Sequence, residues 1–176
     1  MAPAAVVSAV HAPCWIVMGV SGCGKSTVGQ RLAAAMQLAF IEGDEAHPVA
    51  NIEKMSAALP LTDEDRFAWL MILQADIRRA RSNGVGLVIS CSALKKTYRD
   101  LLREANPAAV FVHLHGEQQA IASRLQSRSN HFMPPALLAS QFADLEPLSS
   151  DEIGITLDMQ QSPQQLVELI LSGDRA

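Results

Sequence analysis

A glycine-rich segment near the start of the chain has the residue types and spacing of a phosphate-binding loop. Residues 19–26 read GVSGCGKS, which matches the pattern G-x-x-x-x-G-K-S/T. In this pattern the glycines let main-chain N–H groups surround an anion. Lys25 would reach the β- and γ-phosphates of a nucleotide, and the Ser26 hydroxyl would ligate Mg²⁺. The residues predicted to bind the nucleotide are Gly19, Val20, Ser21, Gly22, Cys23, Gly24, Lys25, Ser26 and Thr27.

Two acidic residues, Glu42 and Asp44, follow an apolar run at 38–41 that predicts a strand. In a doubly wound sheet, the carboxyl end of that strand lies beside the phosphate loop. Phosphoryl transfer to an alcohol needs a carboxylate near the attacking hydroxyl, and a second acid helps hold Mg²⁺ through water. We expect Asp44 in the first role and Glu42 in the second. The alternative is a turn that carries two solvated acids.

Cys23 lies within the phosphate loop, among the N–H groups that are expected to point inward. A thiol in such surroundings can have a lowered pKa and react readily. The other interpretation, which we prefer, is a small side chain that points outward.

The elements that must position these residues alternate between strands and helices. Apolar runs predict strands at 14–18, 38–41, 87–89, 110–112 and 153–157. Helical spacing predicts helices at 26–36, 63–81, 118–125, 135–145 and 163–171. This alternation implies right-handed crossovers and a parallel sheet. The predicted fold is α/β: a three-layer αβα sandwich with a five-stranded parallel sheet, as in P-loop NTPases.

Length and composition limit the classes of function. The 176 residues are expected to form one domain, 1–176, with a loose N-terminal arm at 1–13. The net charge of −4 argues against a general nucleic-acid binder, and the apolar runs are too short for a membrane span. The apolar start lacks a preceding Lys or Arg, which argues against a secretory signal. The cysteine count of three is odd and no pair has C-x-x-C spacing, so we expect a cytoplasmic protein.

The class of P-loop protein follows from which other motifs accompany the loop. The guanine-reading N-K-x-D of GTPases is absent from the sequence. The strand at 87–89 runs into Ser90, Cys91 and Ser92, whereas motor ATPases have an acid there. A compact kinase for a small molecule or a nucleotide is therefore predicted. A sensor that binds ATP without turnover is the alternative from another class.

Several further blocks of sequence resemble the gluconate kinase (gluconokinase) family. They are His47-Pro48, Asn51–Met55, Leu61–Arg66 with Trp69-Leu70, Cys91–Lys96, Tyr98–Arg103, and Ser123–Leu125 with Arg128, His131 and Phe132. The resemblance extends from about residue 15 to 171. It departs from the family at Cys23, usually Ser, and at Glu42, often Asp, and it is weak over 146–158.

The resemblance implies a function, a fold and partners. The reaction would be transfer of the ATP γ-phosphoryl group to the 6-hydroxyl of D-gluconate, which gives 6-phosphogluconate for the pentose phosphate pathway. The cofactors would be ATP and Mg²⁺. The fold would be like that of shikimate kinase and the nucleoside monophosphate kinases, and the protein would be a homodimer. A kinase for another small acid, such as shikimate, or for a nucleotide is the alternative within enzymes.

Gluconate is a polyol with a carboxylate, so its pocket needs hydrogen-bond partners and a fixed cation. The cations in the matched blocks are Arg66, Lys95, Lys96 and Arg99, and Asp44, His47 and Asn51 could bond the hydroxyls. For the two lysines the alternative is an exposed helix start. For His47 and Asn51 it is local turn capping.

Two arginines four residues apart, Arg124 and Arg128, precede a polar segment that ends in proline. We expect a lid at about 127–135, from which these arginines offset charge on the transferring phosphoryl group. The predicted catalytic residues are thus Lys25, Asp44, Arg124 and Arg128. The alternative for the arginines is an ordinary basic helix end. His113 and His115 alternate on a strand, and we prefer packing or a sheet-end position for them over a metal site.

Overall fold

Five strands and seven α-helices make up the part of the chain that the computed structural model describes, residues 12–127 and 137–173. The strands are Cys14–Met18 (β1), Ala39–Glu42 (β2), Leu87–Ser90 (β3), Val110–His115 (β4) and Gly154–Asp158 (β5). The helices are Lys25–Met36 (α1), Val49–Ser56 (α2), Asp63–Ser82 (α3), Lys96–Ala105 (α4), Gln118–Gln126 (α5), Leu138–Asp144 (α6) and Pro163–Ser172 (α7). A short 3-10 turn, Gly43–Ala46, follows β2 directly.

The strands form one parallel sheet in the order β2-β3-β1-β4-β5. Side chains of β1 alternate between its two faces, as strand geometry requires. Val17 joins a core that contains residues of α1, α5, α6 and α7, whereas Ile16 and Met18 join a core that contains residues of α3 and α4. Helices therefore cover both faces, and the predicted three-layer α/β fold is confirmed.

The sheet order places a topological switch point at β1. Strand β1 has β3 as its neighbour on one side and β4 on the other. In doubly wound sheets, ligands bind at the carboxyl ends of the strands at such a switch point. The loop after β1 is tied to the segment after β3, because the Gly19 N–H donates to the Ser92 carbonyl at 3.3 Å. The phosphate-binding motif therefore lies where this fold binds its ligands.

Helix α4 was not among the predicted helices, although the alternative for Lys95 and Lys96 anticipated a helix start there. Helix α2 was missed altogether. Its buried residues are Asn51 and Met55, one helical turn apart, while Val49 and Ile52 are exposed. One buried polar residue and one buried apolar residue give no helical hydrophobic pattern, so the periodicity could not indicate this helix.

The last two residues of the expected N-terminal arm, Ala12 and Pro13, are attached to the rest of the protein. Ala12 is buried and its carbonyl accepts a hydrogen bond from Asn106, and the Pro13 carbonyl accepts from the Leu87 N–H at 2.8 Å. The boundary at residue 13 is therefore wrong, because 12 and 13 are attached to the sheet. Residues 1–11 lie outside the described part of the chain, as do 128–136, which hold almost all of the expected lid.

Helix α3 begins with a capping box. Thr62 accepts a hydrogen bond from the Asp65 N–H, and the Asp65 carboxylate accepts from the Thr62 N–H at 2.9 Å. The cap holds the first turn of α3 in a fixed orientation. Arg66, which follows the cap in this first part of the helix, is thereby held near the carboxyl ends of the strands, where the candidate site lies. Among the described residues, no helix has the length and apolar character that crossing a membrane requires.

Candidate active site

The phosphate loop depends on glycines in the left-handed region of backbone space. Gly19 has a φ of 137° and Gly22 a φ of 85°. A Cβ atom on Gly19 would lie 2.8 Å from both the Cys23 Sγ and the Leu114 carbonyl oxygen. Gly24, also at positive φ, precedes α1 and has no side chain with which to cap it. The first N–H groups of α1 thus receive no side-chain cap from Gly24, and a helix N-terminus of this kind favours an anion.

Lys25 lies at the start of α1 and is buried, with 8% of its surface exposed. Its Nζ donates to the Val20 carbonyl at 3.1 Å, which holds the ammonium group across the loop. Lys25 and Ser21 both line the cleft described next. The loop thus presents main-chain N–H groups and one cation in a concave turn, as phosphate binding requires.

A cleft opens beside the loop at the carboxyl ends of the strands. Its walls include Asp44 and His47 from the segment after β2, Arg66 and Trp69 from α3, and Ser140 and Gln141 from α6. The structure therefore brings together Lys25, Asp44, His47 and Arg66, which the sequence analysis had assigned separately to phosphate and acceptor binding.

The turn that carries Asp44 is anchored on two sides. The Gly43 N–H donates to Ser90 Oγ at 3.2 Å, and the Trp69 indole N–H donates to the Gly43 carbonyl at 2.7 Å. The Ser90 hydroxyl in turn donates to the Glu42 carboxylate. Glu42 at the end of β2 is thus held by β3, and the turn that follows is held by β3 and α3, with Asp44 in the cleft wall.

The His47 ring stacks on the Trp69 indole, with 4.1 Å between the centroids. Burial and the neighbouring Arg66 guanidinium lower the pKa of His47 to about 4. The Nδ2 group of Asn51 is 3.3 Å from His47 Nδ1 and also donates to the Asp65 carbonyl at 2.9 Å. His47 is in the cleft wall, whereas Asn51 is buried behind it.

Arg66 is the cation of the matched blocks that reaches the cleft. It is 6% exposed, and its Nη2 lies 3.1 Å from an Asp144 carboxylate oxygen. Lys95 pairs instead with Asp63 at 2.7 Å, a contact that raises the pKa of Lys95. Among the described residues Lys95 lies outside the cleft lining, although its Nζ is 3.8 Å from Asp144.

Arg99 does not reach the cleft. Its guanidinium is fully buried, pairs with Glu152 at 2.7 Å and donates to four main-chain carbonyls, those of Ala93, Leu94, Glu146 and Pro147. Burial raises the pKa of Glu152, but hydrogen bonds from Arg99, from the Ser149 N–H and from Arg103 more than offset this, so the pKa lies below its ordinary value. The expectation that Arg99 binds substrate is wrong, because internal partners occupy its donors.

Lys96 lies at the first turn of α4 on the surface. Its Nζ is 3.1 Å from Asp100 and 3.5 Å from Asp151. In the described structure it is outside the cleft lining, which agrees with the alternative of an exposed helix start. We do not retain it as a substrate ligand.

Arg124 lies on α5, next to the phosphate loop but outside the described cleft wall. Its Nη2 donates to the Met159 carbonyl at 3.2 Å. Helix α5 packs closely on the loop, because a Cβ atom on Gly22 would lie 2.7 Å from the Leu125 side chain. Arg128, the other predicted catalytic arginine, lies outside the described residues, as do His131 and Phe132.

Cys23 is buried, with 1% of its surface exposed, and belongs to the core that contains Val28 and Leu32. Burial raises the pKa of its thiol, although the Lys25 charge opposes this. The preferred expectation of an outward-pointing side chain is wrong, since the thiol packs inside. The reactive alternative is also disfavoured, because the thiolate is the nucleophilic form.

Helix α6 supplies cleft residues that the sequence analysis missed, Ser140 and Gln141. The Gln141 Oε1 accepts a hydrogen bond from the Ser21 N–H of the phosphate loop at 2.6 Å. A helix was predicted here, but its apolar spacing gives no sign of a partner 120 residues away. The Ser21 Oγ, also buried, has no hydrogen-bond partner among the described residues.

The two histidines of β4 form an edge-to-face pair, with 6.0 Å between ring centroids. In the described ranges no group of three or more His, Cys, Asp or Glu side chains could hold a metal ion. His113 is buried in the sheet, in agreement with the packing role.

Comparison with known proteins agrees with this geometry. The model of the shikimate kinase family matches residues 21–171. The thermosensitive gluconokinase of Escherichia coli (strain K12) is 43% identical over 164 residues, which cover 90% of this chain and 87% of that protein. The unliganded crystal structure of a sugar kinase from Janibacter sp. HTCC2649 has a TM-score of 0.88 at 46% identity, over 92% of this chain and 93% of its own.

The crystal structure of a gluconokinase from Sinorhizobium meliloti 1021 has a TM-score of 0.81 at 43% identity and covers 93% of this chain and 91% of its own. These matches extend over the phosphate loop, the acidic turn and α6 alike, and they confirm the resemblance found in the sequence blocks. The chain therefore belongs to the gluconokinase family of P-loop kinases.

Proposed function

We propose that this protein transfers the γ-phosphoryl group of ATP to the 6-hydroxyl of D-gluconate, giving 6-phosphogluconate and ADP. The observation that carries the proposal is that Lys25, Asp44 and Arg66 line one cleft beside the phosphate loop. A phosphate site, a carboxylate and a fixed cation are what a carboxylate-bearing polyol and a nucleotide together require. The relatives named gluconokinases support the choice of acceptor.

The roles of the residues follow from their positions. The loop N–H groups and Lys25 hold the β- and γ-phosphates, and Arg66 pairs with the carboxylate of gluconate. The 6-hydroxyl oxygen attacks the γ-phosphorus in line, its proton passes to Asp44, and the bond from that phosphorus to the β–γ bridging oxygen breaks. The resemblance adds Arg124 and Arg128 as cations that offset charge on the transferring group.

Mg²⁺ fits the donor set at this site. In kinases the ion usually keeps several waters and takes one or two protein oxygens together with phosphate oxygens. The Ser26 hydroxyl would supply one oxygen. The Glu42 carboxylate accepts from Ser90 and, with about four lone-pair positions, can also accept from a metal-bound water. When bound, the ion would neutralise charge on the phosphates.

We further propose a homodimer, on the strength of the family resemblance alone, and a cytoplasmic location, on the cysteine count and spacing. Size-exclusion chromatography with light scattering tests the dimer.

Shikimate is the second candidate acceptor, because the matching family model is that of shikimate kinase. It is also a polyhydroxy carboxylate, so Arg66 could pair with it equally. The test is a panel of sugar acids and shikimate with Mg-ATP, followed by ³¹P and ¹³C NMR of the product. We expect a phosphate ester at carbon 6 of gluconate. If ADP is released with shikimate but not with gluconate, shikimate is the acceptor. If no acid supports turnover, an ATP sensor is favoured.

A further inference from the structure

We propose that Asn51 is a positioning residue, which fixes the His47 imidazole in the tautomer that carries its proton on Nε2. His47 then offers the acceptor substrate one neutral hydrogen-bond donor. This inference rests on the proposed function for the identity of the substrate. It also revises the sequence expectation that Asn51 itself binds gluconate.

The first step concerns the amide of Asn51. Its Nδ2 donates to the Asp65 carbonyl at 2.9 Å and lies 3.3 Å from His47 Nδ1. A carbonyl can only accept a hydrogen bond, so the atom that faces Asp65 must be the nitrogen and not the oxygen of the carboxamide. An amide NH₂ group has two hydrogens, and these two contacts use both. The nitrogen of Asn51 therefore has no hydrogen left for a substrate.

The second step concerns the imidazole. Because Asn51 donates to Nδ1, that nitrogen must hold a lone pair. In a neutral imidazole the proton is then on Nε2. Burial and Arg66 keep the pKa of His47 at about 4, so the ring is neutral near pH 7. The charged residues that line the cleft with it are Lys25, Asp44 and Arg66. Arg66 is paired with Asp144, and Asn51 bonds to the main chain of Asp65, whose carboxylate pairs with Lys54.

The third step concerns the orientation of the ring. His47 stacks on Trp69 at an interplanar angle of 18°, and the Trp69 indole N–H is bonded to the Gly43 carbonyl. The stacking fixes the plane of the imidazole and Asn51 fixes its rotation within that plane. His47 is in the cleft wall beside Asp44 and Arg66.

The consequence is a division of labour in acceptor recognition. Arg66 supplies the positive charge for a carboxylate, and His47 supplies a neutral donor for a hydroxyl or carboxylate oxygen. A neutral donor close to Asp44 can bind an oxygen without pairing with that carboxylate as a cation would. The predicted ligand class is a polyhydroxy carboxylate with an oxygen lone pair directed at Nε2.

The test combines NMR with kinetics. Correlation of imidazole ¹⁵N with carbon-bound ¹H identifies the protonated nitrogen, and His47→Gln, which loses the signal, assigns it. We expect Nε2–H in the wild-type protein. In Asn51→Asp a carboxylate, which can only accept a hydrogen bond, faces Nδ1 of His47. The imidazole proton should therefore move from Nε2 to Nδ1. We expect KM for gluconate to rise about tenfold, with kcat changed less than twofold and KM for ATP unchanged.

Two comparisons make the result specific. Asn83→Asp places the same charge change at the exposed end of α3 and should leave tautomer and KM as in the wild type. Gln at position 47 keeps a donor near the place of Nε2 and has no tautomer to set. In the His47→Gln background, Asn51→Ala should therefore change KM for gluconate much less than in the wild-type background.

A wild-type His47 with its proton on Nδ1 overturns the inference, as does an Asn51→Asp protein whose proton stays on Nε2. The wild-type spectrum decides the matter even if the Asn51 variants fail to fold. The NMR result does not need turnover. If gluconate proves not to be the acceptor while Nε2 is protonated, the proposed function fails and the tautomer assignment stands.

Discussion

The carboxamide oxygen of Gln141 accepts a hydrogen bond from the Ser21 N–H at 2.6 Å. Ser21 belongs to the phosphate loop and Gln141 to α6, and both residues line the cleft. The contact attaches α6 directly to the anion-binding turn. A phosphate oxygen that binds the Ser21 N–H must therefore displace the Gln141 side chain.

Removing the Gln141 side chain should strengthen nucleotide binding. In Gln141→Ala the Ser21 N–H is not bonded to a carboxamide, so ATP binding no longer has to break that hydrogen bond. A net hydrogen bond contributes about 1 kcal/mol, so ATP should bind roughly fivefold more tightly. Gln141→Glu keeps an oxygen at the same place but adds negative charge, so ATP should bind more weakly. Calorimetry measures both, with Gln164→Ala, at an exposed position of α7, as control. Weaker ATP binding by Gln141→Ala contradicts the displacement.

Asp44 should be required for the chemical step. Asp44→Asn keeps the size of the side chain but removes the proton acceptor, so kcat should fall about 10²- to 10⁴-fold, with little change in ATP affinity. Glu45→Gln, an exposed neighbour in the same turn, removes an equal charge and should retain kcat. Steady-state kinetics and ATP titration provide the measurements. Near-normal turnover in Asp44→Asn would exclude it as the base.

Glu42 should affect the metal requirement. Glu42→Gln keeps a polar side chain beside Ser90 but removes the charge that would attract metal-bound water. We expect the Mg²⁺ concentration for half-maximal activity, measured at fixed ATP, to rise several-fold. Excess Mg²⁺ should restore most of the rate. Addition of EDTA should abolish turnover in the wild type and the variant, and an unchanged Mg²⁺ titration would place Glu42 outside the metal site.

Local features of the site could be predicted from the sequence, whereas its long-range contacts could not. The phosphate loop is determined within a few residues, and its residue spacing indicates it. The Thr62 cap is equally local. An arginine at position 99 could bind substrate or pair with another residue, and the residue type does not indicate which. Its partner, Glu152, lies 53 positions away in the sequence. The Gln141 contact to Ser21 likewise depends on tertiary packing. Periodicity shows which face of a helix is buried, but not which polar partner it meets.

Arg99 should prove to be structural. Removing one member of a buried ion pair typically costs about 3–5 kcal/mol. The lower end of this range applies to Glu152, because Arg103 and the Ser149 N–H still bond to its carboxylate. Arg99→Met should therefore lower the free energy of unfolding by that order while KM for gluconate stays within twofold of the wild-type value. Urea denaturation and steady-state kinetics test the two statements. Arg79→Met, at an exposed pair with Asp76, is the control for loss of a guanidinium. A large rise in KM for gluconate, with stability retained, would return Arg99 to the binding site.

His113 should make the fold sensitive to mild acid. It is buried in β4, and neither ring nitrogen has a hydrogen-bond partner within the described part of the chain. Burial, with smaller effects of His115 and Arg99, lowers its pKa to about 4 from the ordinary 6.5. Between these values the unfolded chain binds a proton that the folded chain excludes, so stability falls as pH decreases through this range.

The size of this effect follows from the two pKa values. Going from pH 7.5 to pH 5, the His113 share of the loss is about 2 kcal/mol by proton linkage. Leucine at position 113 cannot bind a proton. Between pH 7.5 and pH 5, the free energy of unfolding in urea should therefore fall by about 2 kcal/mol less in His113→Leu than in the wild type. Some loss persists in the variant, because burial lowers the pKa of His47 in the same direction. His115→Leu, at the exposed end of β4, should lose as much as the wild type. Equal losses in wild type and His113→Leu would mean that His113 is protonated as easily in the folded protein as in the unfolded chain.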